Sequence, residues 1–156
     1  MISTLISGKN PLMVCAYSSN EPNQIGSNPP TPRVAHAASV VGDFLYLFGG
    51  RTTDKVELQD LWKYNFATRE WMEIPATSQN IPVGRSYHGM VSVGKKIFVS
   101  GGCGADGRRN DLWSFDTETS EWTELSSENA PSPRGGPGVT ATDSEIYVVY
   151  GFNGTE

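Results

Sequence analysis

Leu45-Tyr46-Leu47-Phe48-Gly49-Gly50 returns as Ile97-Phe98-Val99-Ser100-Gly101-Gly102 and, less completely, as Ile146-Tyr147-Val148-Val149-Tyr150-Gly151. Each run is short, apolar and ends on glycine. Upstream of each lies a second matching stretch: Pro32-Arg33-Val34-Ala35-His36, Gly84-Arg85-Ser86-Tyr87-His88 and Pro133-Arg134-Gly135-Gly136-Pro137. Downstream, Asp60-Leu61-Trp62-Lys63-Tyr64-Asn65 matches Asp111-Leu112-Trp113-Ser114-Phe115-Asp116, and Glu70-Trp71-Met72-Glu73-Ile74 matches Glu121-Trp122-Thr123-Glu124-Leu125. The period from arginine to arginine is about 50 residues, which marks a repeat architecture.

Within each unit the apolar residues alternate over four to six positions, and turn-forming residues separate the runs. That pattern predicts four short strands, A to D, and no helix. Strand A is expected over Ala35–Val41, Tyr87–Val93 and Gly138–Thr142, and strand B ends at the glycines. Strand C carries the first tryptophan and strand D the second. Gly42-Asp43 and Gly94-Lys95 suit tight A–B hairpins. Ala67-Thr68-Arg69 and Glu118-Thr119-Ser120 suit C–D turns. Gly49, Gly50, Gly101 and Gly102 are expected where backbones crowd and φ turns positive, which glycine tolerates best. Trp62, Trp71, Trp113 and Trp122 are expected to pack in the core, with Trp71 and Trp122 filling the wedges between adjacent sheets.

The paired glycines, the aromatic residue before Asn or Asp, and the spaced tryptophans resemble the kelch repeat from Pro32 to Glu156. The resemblance implies an all-β fold: about two and a half four-stranded blades of a kelch-type β-propeller. The expected organisation is an irregular leader and linker over 1–31, blade 1 over 32–82, blade 2 over 83–131 and strands A and B of blade 3 over 132–156. A ring of this class needs about four to eight blades. The chain is therefore read as a propeller fragment with an open ring, in need of further blades or self-association to cover its open edges. Leu12–Tyr17 is a candidate strand of a preceding blade.

A narrower resemblance lies in Gly101-Gly102-Cys103-Gly104, Gly107-Arg108-Arg109-Asn110-Asp111-Leu112-Trp113, Arg134-Gly135-Gly136-Pro137-Gly138 and Val148-Val149-Tyr150-Gly151-Phe152. These look like the plant nitrile-specifier, epithiospecifier and thiocyanate-forming proteins, which redirect glucosinolate aglucone breakdown with iron(II). The resemblance implies substrate contacts at Arg51, at Tyr87 and at Arg108 or Arg109. That family's iron ligands (a Glu, an Asp and a His) belong to a later blade and have no counterpart here. Glu156 is not one of them, so neither a metal ligand nor a cofactor is expected in this chain.

In an antiparallel blade the D–A and B–C connections share one face. Arg33, Arg85 and Arg134 fall in or beside D–A connections, and Arg51, Arg108 and Arg109 in B–C loops. Six of the seven arginines thus share a face of an otherwise acidic protein, whose net charge is −5. Guanidinium forks suit carboxylate, sulfate or phosphate. The alternative is that they pair with Asp54, Asp60, Asp106 or Asp111 and pin their own loops. Tyr87 either stacks on a ligand or packs. His36 and His88 recur at one repeat position, which points to hydrogen bonding near the inner strand.

The acidic balance argues against nucleic acid as a partner. No run approaches the roughly 20 apolar residues of a membrane span, and the N-terminus lacks signal-peptide grammar. The expected location is cytoplasmic. Cys15 and Cys103 are expected to be free thiols, and the Asn153-Gly154-Thr155 sequon is discounted. No nucleophile elbow, Walker loop or dinucleotide fingerprint occurs, so no catalytic residue is assigned. The expected function is a binding module for a protein or a small anionic ligand. The alternative is part of an iron-dependent specifier protein. An adaptor for ubiquitin ligation would need accessory domains.

Overall fold

The computed structural model describes residues 28–77 and 79–155. Cys15, the Leu12–Tyr17 segment and Glu156 lie outside them. The described residues form ten strands and no helix. The first sheet holds β1 (Ala37–Val41), β2 (Phe44–Phe48), β3 (Leu61–Asn65) and β4 (Glu70–Ile74) in sequential order. The second holds β5 (Gly89–Val93), β6 (Lys96–Gly104), β7 (Gly107–Asp116) and β8 (Glu121–Leu125) in the same order. A pair, β9 (Gly138–Ala141) and β10 (Ile146–Val149), follows. All pairings are antiparallel. β1 packs against β5 and β5 against β9, so the first strand of each unit faces the axis about which the sheets fan out. The three sheets form part of a propeller and do not close.

The largest apolar core lies between the first two sheets. Tyr46, Phe48 and Leu61 on one side meet Ile97, Val99 and Phe115 on the other. Phe48, Ile97 and Val99 are fully buried, and each such side chain contributes about 1.5–3 kcal/mol. Trp122 reaches across, with its ring 5.2 Å from Phe48 and 5.1 Å from Phe115. Trp71, its repeat mate, packs inside its own sheet instead, 5.1 Å from Tyr64 and clustered with Leu47. Trp122 thus fills the wedge between the first two sheets, whereas the equivalent face at Trp71 turns away from the second sheet and meets no other described sheet.

The local grammar has visible causes. In the C–D turns, Asn65 Oδ1 accepts from the Ala67 and Thr68 N–H groups, and Asp116 Oδ1 from those of Glu118 and Thr119. These Asx turns explain why Asn and Asp end strand C. Two expectations need correction. Strand A begins at Ala37 and Gly89, not at Ala35 and Tyr87, because those two residues adopt φ of 54° and 53°, which breaks the extended run. Arg108 and Arg109 are not in a loop: β6 and β7 continue past the glycines through a bulge between Ser100 and Gly102, and both arginines lie in β7 opposite Cys103 and Gly102.

Candidate ligand-binding face

The same backbone links join successive sheets. The Tyr87 N–H donates to Ala35 O at 2.9 Å, and the Gly136 N–H donates to Tyr87 O at 2.7 Å. The Gly50 N–H donates to Arg85 O at 2.8 Å, and the Gly102 N–H to Arg134 O at 2.9 Å. The first glycine of each pair sits at φ 62° and 64°, and a Cβ on Gly49 would lie 2.6 Å from Arg85 O in the next sheet. Close approach and positive φ together require glycine there. The third unit breaks the rule: Tyr150 holds the same conformation, φ 56°, with a side chain 86% exposed.

Just after the glycines, bridges pair Val34 with Arg51, Ser86 with Cys103 and Gly135 with Phe152. One backbone position thus carries Arg51, Cys103 and Phe152 in turn. A second position, at positive φ throughout, carries Ala35, Tyr87 and Gly136. The backbone repeats while the side chains at the rim do not.

The structure places the four candidates on this rim in different settings. Arg51 has a partly exposed side chain 3.5 Å from Glu57 Oε1, whose other oxygen is buried without a hydrogen bond. Tyr87 is half exposed. The Arg108 guanidinium lies over the Phe152 ring, 4.7 Å from its centroid, in cation–π geometry. Arg109 Nη2 donates to Asp106 Oδ1 at 2.5 Å and is the most tied down of the three arginines.

The arginines that recur are structural. Arg33 donates to both oxygens of Asp60 at 2.6 and 2.8 Å and to Gly49 O at 2.9 Å. Arg85 donates to both oxygens of Asp111 at 2.7 Å and to Gly101 O at 3.0 Å. Each aspartate also accepts from the tryptophan two residues on, Trp62 Nε1 at 2.6 Å and Trp113 Nε1 at 2.9 Å. Burial pushes both carboxyls up, but the arginine and tryptophan hydrogen bonds and the guanidinium charge outweigh it, leaving both below the usual carboxylate range.

Residues 9–156 match the KLHDC2/KLHL20/DRC7 Kelch-repeats domain. This chain belongs to the kelch-repeat family. It is 34% identical over 135 residues to the N-(sulfonatooxy)prop-2-enimidothioate sulfolyase of Thlaspi arvense, covering 83% of this chain and 38% of that protein. It is 35% identical over 126 residues to Kelch domain-containing protein 2 of Bos taurus, covering 79% of this chain and 30% of that protein. The kelch chain thus spans about a third of the length of these curated relatives.

Kelch domains generally mediate protein interactions. Among the described residues no helix is long and apolar enough to cross a membrane. Reading the sequence missed two rim residues, Cys103 and Phe152. Their signal was alignment with Arg51 at the position after the glycines. Gly135 makes room there: a Cβ on it would lie 2.7 Å from Cys103 Sγ. The histidines do not take the expected hydrogen-bonding role alike. The His88 ring is buried and packs edge-on to Phe48 at 5.5 Å, with the Phe48 backbone as the one hydrogen-bonding group acting on it. Burial, aided by Arg85 and His36, lowers its pKa to about 3. His36, with no sheet in front of it among the described residues, is exposed.

Proposed function

We propose that this kelch segment binds a carboxylate- or sulfate-bearing partner through Arg51, Tyr87 and Arg108. One observation carries this: the rim position after the glycines changes from Arg51 to Cys103 to Phe152 while its backbone stays the same. A residue serving only the repeat would recur, as Arg33 and Arg85 do. Arg51 keeps a partly exposed guanidinium beside Glu57, and Phe152 holds the Arg108 guanidinium as a planar donor. Bidentate hydrogen bonds from such forks suit an acidic peptide or a small anion. Calorimetric titration with a hexa-aspartate peptide, and with inorganic sulfate, tests it. Arg51→Ala/Arg108→Ala is expected to weaken binding about tenfold or more. Equal affinity in the double variant counts against the reading.

A second reading has the kelch chain as part of an iron-dependent specifier protein. The 34% identical sulfolyase favours it, since the compound in that protein's name carries a sulfonatooxy group that guanidinium forks would suit. Among the described residues, however, no three His, Cys, Asp or Glu side chains converge to hold a metal ion. These residues do not fit iron. Iron-dependent turnover of such a sulfate ester by the 156-residue chain would establish this reading; none is expected.

A further inference from the structure

Arg51 and Glu57 face each other across an antiparallel bridge in the loop between β2 and β3. Arg51 also bridges Val34, and the next residue, Ala35, accepts from the Tyr87 N–H, so the pair and Tyr87 share one stretch of rim. This ion pair is unlike the two structural ones. Arg33 and Arg85 grip both oxygens of an aspartate at 2.6 to 2.8 Å. Arg51 Nη1 instead stands 3.5 Å from Glu57 Oε1, beyond the usual length of a charge-assisted hydrogen bond. Glu57 Oε2 is buried without a hydrogen bond, and the side chain is only 9% exposed. Buried carboxylate oxygens ordinarily have donors, so Glu57 keeps a place for one. Nor does the pair repeat. The equivalent cross-strand pair of the second sheet is Cys103 and Arg108, which puts a cation where the first sheet has Glu57.

We propose that Glu57 receives an ammonium group, so that the rim takes a small zwitterion, an amino-sulfonate or amino-carboxylate, in preference to a bare anion. The inference rests on the anion-binding reading above. When the Arg51 guanidinium turns to the ligand's sulfonate or carboxylate, Glu57 loses its ion-pair partner. A ligand ammonium then brings N–H donors to Oε1 and Oε2 and restores the charge balance. Its two charges need to lie about as close together as Arg51 and Glu57 do, which a short alkyl spacer provides. A bare anion draws Arg51 away and leaves Glu57 buried and unpaired, and that penalty makes the rim selective.

The probes are taurine and ethanesulfonate, which differ only in the ammonium group. Each is titrated at neutral pH into the isotope-labelled full chain, with the Arg51 Nε–H and Tyr87 amide signals followed by NMR. The wild-type chain is expected to bind taurine about tenfold more tightly than ethanesulfonate. Glu57→Gln is expected to bind ethanesulfonate more tightly and taurine more weakly than wild type, because the amide neither attracts Arg51 nor pairs with an ammonium. Equal or tighter binding of ethanesulfonate by the wild-type chain overturns the inference and leaves the anion-binding reading standing. A taurine preference that persists in Glu57→Gln also overturns it. Saturation by neither probe up to about 100 mM overturns both. The wild-type comparison needs no substitution, so the test stands even if Glu57→Gln fails to fold.

Discussion

Among the described residues, blade 2 has a neighbouring sheet on each side and blade 1 has one on one side only, and residues at equal repeat positions report the difference. His88 and Met90 are buried where His36 and Ala38 are exposed. Ile97 and Val99 are fully buried, while Leu47 depends on Trp71 and Tyr64 of its own sheet. The strands are alike, so the contrast arises in packing between sheets. A blade supplies its own backbone pairing but only half of its core.

The largest effect expected from this contrast concerns the arginine–aspartate pairs. Arg85→Ala would leave Asp111 partly buried and uncompensated, at a cost of about 3–5 kcal/mol. Arg134→Ala, which breaks only hydrogen bonds to Ser132 and Tyr150, is expected to cost under about 1 kcal/mol. Denaturant melts of the two variants measure this directly. Similar losses would break the comparison.

A smaller effect is expected at the first glycine position. Gly49→Ala puts a methyl group against Arg85 O at positive φ and is expected to cost about 1–3 kcal/mol. Tyr150→Gly removes a side chain from the same conformation and is expected to change stability by a few tenths to about 1 kcal/mol in the favourable direction. A destabilised Tyr150→Gly chain would show that the tyrosine makes a contact worth more than its backbone strain.

A further effect is in pH dependence. Burial is the dominant cause of the lowered His88 pKa of about 3; Arg85 and His36 push it the same way, and the Phe48 backbone and Asp111 oppose them. The folded state therefore binds fewer protons than the unfolded one. Its contribution is fully present above the unfolded value of 6.5 and is lost as pH falls toward 3. Asp60 and Asp111 add a loss of the same sign only below about pH 4. Melting temperatures at pH 7 and pH 5 should converge in His88→Phe, and less so in His36→Phe. An unchanged difference in His88→Phe would show that another group carries the acid sensitivity.

The strand count, the sheet order and the structural glycines and arginines were legible in the sequence because each repeats, and a repeat states its own constraint twice. The nearly equal spacing of Arg33 to Asp60 (27 residues) and Arg85 to Asp111 (26 residues) already suggested a pin. Rim residues were less legible. Cys103 and Phe152 stand out through not repeating, and the Arg108–Phe152 contact depends on where two neighbouring blades place their side chains.

By itself, the amino-acid order determined the module: alternating strands, Asx turns after strand C and a double glycine after strand B. Those features depend on neighbours within a few residues or on the adjacent strand. Only the tertiary arrangement decided which equivalent residues are buried, and that His88 stays neutral while its mate is exposed. Burial and charge pairing depend on what the next sheet places opposite, and that is a property of the packed array of blades.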